Sequence, residues 1–358
     1  MNARCRVAIL GLNIFARKNA YQTVGMAAHG YTYDVLSTQR EVHELNGEVN
    51  ARLLPLRPDA LGRLLQVWRY LRSHRNELHH AEVYVGGRFA AAYVLLARLA
   101  GIPTLIAERG DLFMSHNRSY GLVTRNSMAL AYRLADAVWY RELYAAELLA
   151  KMGVQRRYLL ANSVPMPPAL PTGPRDIDLL WVNRFKAPRR PEFMAEALAA
   201  VLPRKAATAR ILGTIANGPP ETDAMQRQFQ QAVAGVPGIT LEEFSDPASL
   251  FARSRFFLLP ADVTFANFAL LEAMAAGVIP IISDVPGTEL LVEDGASGLV
   301  VEHSAAGFQS GIERALAMTD TERQRLSAGA HAMIRDRYSV DAWCVALSAI
   351  YATLRLES

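Results

Sequence analysis

Short apolar runs alternate along this chain with longer stretches whose apolar residues recur every three to four positions. In the front half, RVAILGL (6–12) reads as a buried strand, TVGMAAHG (23–30) as a helix closed by Gly30, and YTYDVLS (31–37) as the next strand. Leu61, Leu64, Leu65, Trp68 and Leu71 keep helical spacing, which predicts one helix over 60–80. AEVYVGG (81–87) predicts a strand, RFAAAYVLLARLAG (88–101) a buried helix closed by Gly101, and IPTLIAERGD (102–111) a strand with its exit loop. A helix-rich piece ends near LLAKMGV, and RYLLAN (157–162) is a last short strand. The back half repeats the rhythm. DLLWVNRF, ARILGT, ITLEEF, RFFLLPA and VIPIIS predict strands, separated by PEFMAEALAAVL, a polar helix, DPASLFARS and FALLEAMAAG.

Strands alternating with helices predict parallel sheets covered on both faces. Between the halves lies NSVPMPPALPTGPRD, with Pro165, Pro167, Pro168, Pro171 and Pro174. So much proline continues neither helix nor sheet and reads as a linker. The expected organisation is therefore a Rossmann-like domain over 1–165, a linker over 166–176 and a second Rossmann-like domain over 177–335. A C-terminal helix over 336–358 is expected to return to the first domain. Two such sheets facing across a cleft would place a ligand at the carboxyl ends of each.

Composition supports a folded chain: of 358 residues, 51% are hydrophobic and 20% charged. No apolar window is long enough to span a bilayer. The start, MNARCRVAILGLNIFARK, has the basic and apolar order of a signal peptide. Its apolar run is short, however, and no small-residue cleavage site follows, so a first strand is expected. Cys5 and Cys344 have no metal spacing, a pattern that suits a reducing cytoplasm. The net charge is +4, unevenly spread. Residues 1–170 hold 21 Lys and Arg against 12 Asp and Glu, and the remainder is net acidic. A basic front half draws anions such as lipid headgroups or pyrophosphates, or simply faces an acidic back half. Its arginines lack the aromatic interleaving of a nucleic-acid surface, so no nucleic acid is expected as a partner.

Candidate chemistry concentrates in the back half. WVNRFKAPRRPEF puts Arg184, Lys186, Arg189 and Arg190 just after a strand, where four cations repel one another unless an anion joins them. A solvated basic loop is the alternative. Asn267 is placed to cap the helix FALLEAMAAG, whose free N–H groups at Phe268, Ala269 and Leu270 would suit a diphosphate. Leu270, Leu271, Met274 and Ala275 form its core face. Glu272 falls on another face with Phe268 and Ala276, placed to accept from sugar hydroxyls or simply to meet solvent. Thr264 lies eight residues earlier on the loop leading in. In the front half, Gly11 after the first strand is weak as a phosphate cradle and equally a tight turn. The helix over 60–80 carries Arg63, Arg69, Arg72 and Arg75. It either lays this basic face and Trp68 on a membrane or packs on its sheet. His79 and His80, adjacent on that helix, would point different ways and hold no metal.

At these residues a resemblance becomes specific. LLEAMAAGVIPIISDVPGTELLVEDGASGLVV is similar to the donor-binding domain of the family 4 retaining glycosyltransferases, which have the GT-B fold. VNRFKAPRRPEF resembles their Arg–x4–Lys phosphate motif, with Arg184 and Arg189 at its two basic positions. The resemblance implies Glu272 on nucleotide ribose and Glu289 at the acid of the closing segment. It puts Thr264 where the family has a first glutamate that touches the donor sugar. It further implies donor contacts from Gly11, Gly213, Thr214, Phe244 and Ser245, alongside Asn267 and the first turn after it. AERGD resembles an acceptor-side loop of surface-polysaccharide members, which places Glu108, Arg109 and Asp111 there. The implied activity is transfer of a sugar from a UDP- or GDP-linked donor to a glycan acceptor, lipid-linked through polyprenyl diphosphate or soluble. It needs no metal and no other cofactor, and it takes place in the cytoplasm or at the inner face of its membrane. With Thr264 in place of a glutamate, a catalytically inactive nucleotide-sugar binder of the same fold is the other reading.

Overall fold

A computed structural model describes residues 5–12, 17–38, 50–116, 118–214, 219–243, 245–265 and 267–354. The expectation for Phe244, and those for parts of the first loop and the chain end, fall outside these residues. In chain order the first elements are β1 (Cys5–Leu10), α1 (Arg17–Gly25), β2 (Tyr31–Ser37), β3 (Ala51–Pro55), α2 (Ala60–Ser73) and β4 (Leu78–Tyr84). Then come α3 (Ala90–Leu99), β5 (Thr104–Glu108), α4 (Asp111–His116), α5 (Leu122–Leu134), β6 (Ala137–Tyr140), α6 (Tyr144–Lys151) and β7 (Arg157–Leu159). The later part begins with β8 (Ile177–Val182), α7 (Pro191–Val201), β9 (Ala209–Thr214), α8 (Pro220–Ala232), β10 (Ile239–Glu243), α9 (Ala248–Arg253) and β11 (Ser254–Leu259). It continues with α10 (Phe268–Ala275), β12 (Ile279–Ser283), β13 (Leu299–Val301), α11 (Ala305–Leu316), α12 (Asp320–Arg337) and α13 (Val340–Thr353).

The chain forms two compact units, Met1–Ala161 with Val340–Ser358, and Asn162–Ser339. Each is built on one parallel sheet. The first has strand order β3-β2-β1-β4-β5-β6-β7, and the second β10-β9-β8-β11-β12-β13. Their central strands are buried almost throughout, as a sheet covered on both faces requires. In the first unit one face packs Val67 and Leu71 of α2, Tyr93 and Val94 of α3, and Met128 and Ala131 of α5. The other face packs Ala20 of α1 and Trp343, Leu347 and Tyr351 of α13. The Tyr351 hydroxyl donates to the buried Glu82 carboxylate, to which Gln22 Nε2 also donates at 3.0 and 3.1 Å. In the second unit Trp181, Phe185, Phe229 and Leu198 lie in one core with Phe308 and Ile312 of α11.

Two expectations are corrected here. The helix expected over 60–80 stops at Ser73, where His74 caps it, and residues from Leu78 onward form β4. His79 and His80 therefore sit on a central strand, both buried, with their Nδ1 atoms 3.0 Å apart. Trp68 is partly buried against the core. The edge strand β3 escaped the pattern because it is short and only partly covered. Its Arg52 forks onto Asp34 of β2 at 2.8 and 2.9 Å. No helix among the described residues is long and apolar enough to cross a membrane.

Candidate functional site

In a wholly parallel sheet every strand ends on the same edge, so loops distant in sequence meet there. In the second unit that edge collects Arg184 after β8, Gly213 and Thr214 closing β9, and Ser245 after β10. It also collects the loop 260–267 after β11, Ser283 to Glu289 after β12, and His303 after β13. Gly213 permits a close approach, since a Cβ there would meet the Asn183 carbonyl oxygen at 1.8 Å. Ser245 is exposed. The side chain of Thr214, like Phe244, is outside the described residues.

Asn267 is the N-cap of α10, its Oδ1 accepting from the Leu270 N–H at 3.0 Å. Leu270, Leu271, Ala273, Met274 and Ala275 are buried. Phe268, Glu272 and Ala276 share the less covered face, as their spacing predicts. The cap uses the Leu270 amide, and the Phe268 and Ala269 amides before it have no intrahelical acceptor, so the start of α10 offers these two donors to an anion.

The basic loop behaves differently from a uniform cluster of four cations. Phe185 is buried against Trp181 and Phe229, which anchors the loop. Arg184 and Lys186 are exposed, and among the described residues neither has a carboxylate partner. Arg189 donates through Nη1 to the Val263 carbonyl at 3.0 Å. Arg190 has a left-handed backbone, φ 42°, and its charge is already met. Its Nε donates to Asp262 Oδ1 at 2.5 Å and its Nη1 to Glu192 at 3.4 Å. The repulsion argument therefore applies to Arg184 and Lys186, and no longer to Arg190.

Asp262 holds this arrangement together. Its N–H donates to the Pro188 carbonyl at 3.0 Å. Its Oδ1 also meets His303 Nε2 at 3.0 Å, and His303 Nδ1 lies 2.8 Å from Ser283 Oγ. Partial burial pushes the Asp262 carboxyl up, but hydrogen bonds and charge from Arg190 and His303 outweigh it and hold the group below its ordinary range. Sequence reasoning passed over Asp262 and His303. The available signal was their position, just after strands of a parallel sheet.

Thr264 lies beneath the surface, 0% exposed. Its Oγ1 is 2.9 Å from Thr288 Oγ1, and Thr288 Oγ1 donates to the Ser283 carbonyl at 2.8 Å. Because Thr288 has one hydroxyl proton, Thr264 is the donor of the pair. Glu289 is exposed and accepts from the Gly287 N–H at 2.9 Å.

The front-half residues are in the first unit. Gly11 has φ 76°, and a Cβ there would sit 2.3 Å from the Tyr84 carbonyl oxygen, so the turn itself demands glycine. Glu108 ends β5 and does not line an open surface, being 1% exposed. Its Oε1 accepts from the N–H groups of Gly110 (2.7 Å) and Leu112 (3.1 Å), and its Oε2 from the Tyr132 hydroxyl. Burial outweighs these donors and pushes its pKa up to about 7. Arg109 stacks over Tyr84 and Trp139, with Nε and Nη1 buried and without an acceptor, and burial lowers its pKa. Asp111 accepts from the Tyr120 hydroxyl at 2.8 Å. Glu108 therefore shapes the loop from beneath, while Arg109 and Asp111 are only partly covered.

Two Rossmann-like units, each on a parallel sheet, make this a GT-B fold. Solved structures agree. A glycosyltransferase from Rickettsia africae covers 100% of both chains with a TM-score of 0.73 at 12% identity. HepE from Anabaena, in complex with UDP and glucose, covers 98% of this chain and 100% of its own with a TM-score of 0.70 at 12% identity. Residues 176–318, within the second unit, match the family model described as Glycosyl transferases group 1. A D-inositol 3-phosphate glycosyltransferase from Geodermatophilus obscurus is 29% identical over 161 residues, 42% of this chain and 35% of that protein. The match thus spans about a third of that relative's length.

Proposed function

We propose that the chain is a retaining glycosyltransferase of family 4. It would move a sugar from a UDP- or GDP-linked donor to a glycan acceptor in the building of a surface polysaccharide or glycoconjugate. The observation that carries the reading is one sheet edge that presents Arg184, Lys186 and Arg189 together with the capped start of α10 and Glu272. The cations and first-turn amides would hold the donor diphosphate, and Glu272 would accept from the ribose. As the bond to the sugar breaks, negative charge grows on the diphosphate. Fixed donors already aimed at it lower the barrier without rearranging. The acceptor then attacks the face that the leaving group vacates. HepE, seen with UDP and glucose, supports a nucleotide sugar as donor, as does the family match of the second unit. A polyprenyl-diphosphate-linked acceptor suits the basic first unit.

The other reading, a binder without activity, draws on Thr264, whose hydroxyl is engaged within the fold. The test begins with thermal shifts against UDP, GDP, ADP and their sugar conjugates, with Glu272→Ala and Arg184→Ala beside the wild type. A ligand bound only by the native state raises the melting temperature. A shift from one diphosphate, lost in both variants, is expected. Its absence at millimolar ligand would defeat the donor-site reading. Donor hydrolysis separates enzyme from binder, and activity is expected to survive EDTA.

A further inference from the structure

The amino ends of the second sheet border a cavity that the donor site does not use. It holds about 300 Å³, the low end of the range for small-molecule pockets. Three walls close it. The segment before β8 gives Leu170, Pro171 and Arg175, and the first residues of β11 and β12 give Arg255 and Ile279. The start of α12 gives Arg323, Gln324 and Ser327. All of these residues belong to the second unit. Because the sheet is parallel, this edge lies a full strand away from the edge that bears Arg184. Along the five residues of β12 that is about 16 Å, so a small ligand here does not reach the donor site.

Arg175 carries the chemistry of this cavity. It is partly buried, its Nη1 donating to the Ser254 carbonyl and its Nη2 to the Ala276 carbonyl at 2.7 Å. These bonds tie the proline-rich segment to the start of β11 and the end of α10, but two carbonyls do not call for a full charge. The acids nearby are already taken, Asp176 by Arg253, Asp178 by Arg255 and Asp320 by Arg323. Among the described residues Arg175 has no carboxylate partner, and burial pushes its pKa down with no acid to offset it. A guanidinium has five N–H donors, so more remain than the two carbonyls use. A partly buried cation with donors to spare is costly until an anion meets it. Beside it, Gly277 keeps the space open. A Cβ there would come within 2.7 Å of Ser327 Oγ, 2.8 Å of Leu170 and 3.3 Å of Arg175 Nη2.

We propose that this cavity is a second ligand site, for a small organic anion whose carboxylate or phosphate monoester meets Arg175 and whose apolar body lies against Leu170, Pro171 and Ile279. The size of the cavity excludes a nucleotide sugar, and its mixed lining asks for both halves of such a molecule. Inorganic phosphate has the charge without the body, and a neutral ring has the body without the charge. Binding here needs no nucleotide, so it stands or falls separately from the donor site.

The test is saturation-transfer NMR on the full chain with phenyl phosphate, benzoate and the uncharged benzyl alcohol, and with inorganic phosphate as a competitor. Phenyl phosphate or benzoate is expected to bind, the tighter of the two naming the anionic group, with benzyl alcohol weaker by about tenfold. Arg175→Met should weaken the anion by about tenfold. Gln324 is exposed on α12, so Gln324→Trp should fill the mouth and abolish binding while leaving the melting temperature unchanged. This second variant decides the matter if Arg175→Met is unstable. Arg184→Ala, at the opposite edge, should leave binding as it is. The proposal is overturned if neither anion binds at millimolar concentration, or if benzyl alcohol binds as well as benzoate. Binding lost in Arg184→Ala and kept in Gln324→Trp would put the anion at the donor edge and overturn it too.

Discussion

Glu108 is a carboxyl sealed beneath the β5–α4 loop, and its environment makes a quantitative prediction about pH. Burial disfavours its charged form, while two backbone N–H groups and the Tyr132 hydroxyl favour it. Burial wins, and the pKa rises from an ordinary 4.5 to about 7. Between those values the unfolded chain has released the proton and the folded chain keeps it. Stability contributed by this group is therefore fully present below pH 4.5 and is lost as pH rises to about 7. At about 1.4 kcal/mol per pH unit, the loss amounts to roughly 3 kcal/mol. Glu108→Gln removes the titration but keeps a carbonyl oxygen for Gly110 and Leu112. The amide must then donate to the Tyr132 oxygen, a rearrangement costing about 1 kcal/mol at every pH. Urea unfolding across this pH range, followed by tryptophan fluorescence in a Trp181→Phe background, reports the first unit. Its tryptophans are Trp68, Trp139 and Trp343. The wild type is expected to hold its largest advantage over the variant at the acid end and to lose it by neutral pH. A difference independent of pH, or one growing with pH, would refute the burial argument.

Two further outcomes follow from the second unit. Asp262→Asn should weaken its hold on Arg190 and His303, and with it the loop bearing Arg184, Lys186 and Arg189. The ion pair is partly exposed, so the stability cost should stay near 1 kcal/mol. The thermal shift given by the cognate nucleoside diphosphate should shrink sharply, with kcat falling as well, and an unchanged shift would remove Asp262 from the positioning of the loop. Thr264→Val deletes one buried hydroxyl while Thr288 keeps its bond to the Ser283 carbonyl. A cost of about 1 kcal/mol is expected, with nucleotide affinity unchanged. Lost discrimination between a nucleotide sugar and its bare nucleotide would show instead that Thr264 reads the sugar.

What was legible in the sequence, and what was not, divides by distance along the chain. Periodicity and capping are local, so the strand–helix alternation, the Asn267 cap and the face shared by Phe268, Glu272 and Ala276 could all be read directly. Burial of a polar side chain is decided by distant partners. Glu108 meets Tyr132 twenty-four residues away, and Thr264 meets Thr288 at the same separation. Neither pairing leaves a periodic trace. The helix over 60–80 was overrun because ELHH continues a plausible helical pattern. Only the demand of the sheet for a central strand turns those histidines inward.

The basic loop after β8 shows why such distant pairing bears on function. Read along the chain, its four cations are equivalent. Asp262 makes them unequal, because a cation bonded to a protein carboxylate has its charge already met and adds little field at a neighbouring ligand. Arg190 is spent in this way on fixing the loop, in a backbone conformation that a non-glycine residue rarely adopts. Arg189 is tied to the Val263 carbonyl, which orients it. Arg184 and Lys186 keep their whole charge for whatever binds beside them. Under the proposed reaction the diphosphate gains a negative charge as the sugar leaves, so the useful cations are those still unmatched at that moment and already held in place. By that criterion Arg184 and Lys186, held on either side of the buried Phe185, should govern kcat, and Asp262, which touches no substrate, should act through where it holds their loop.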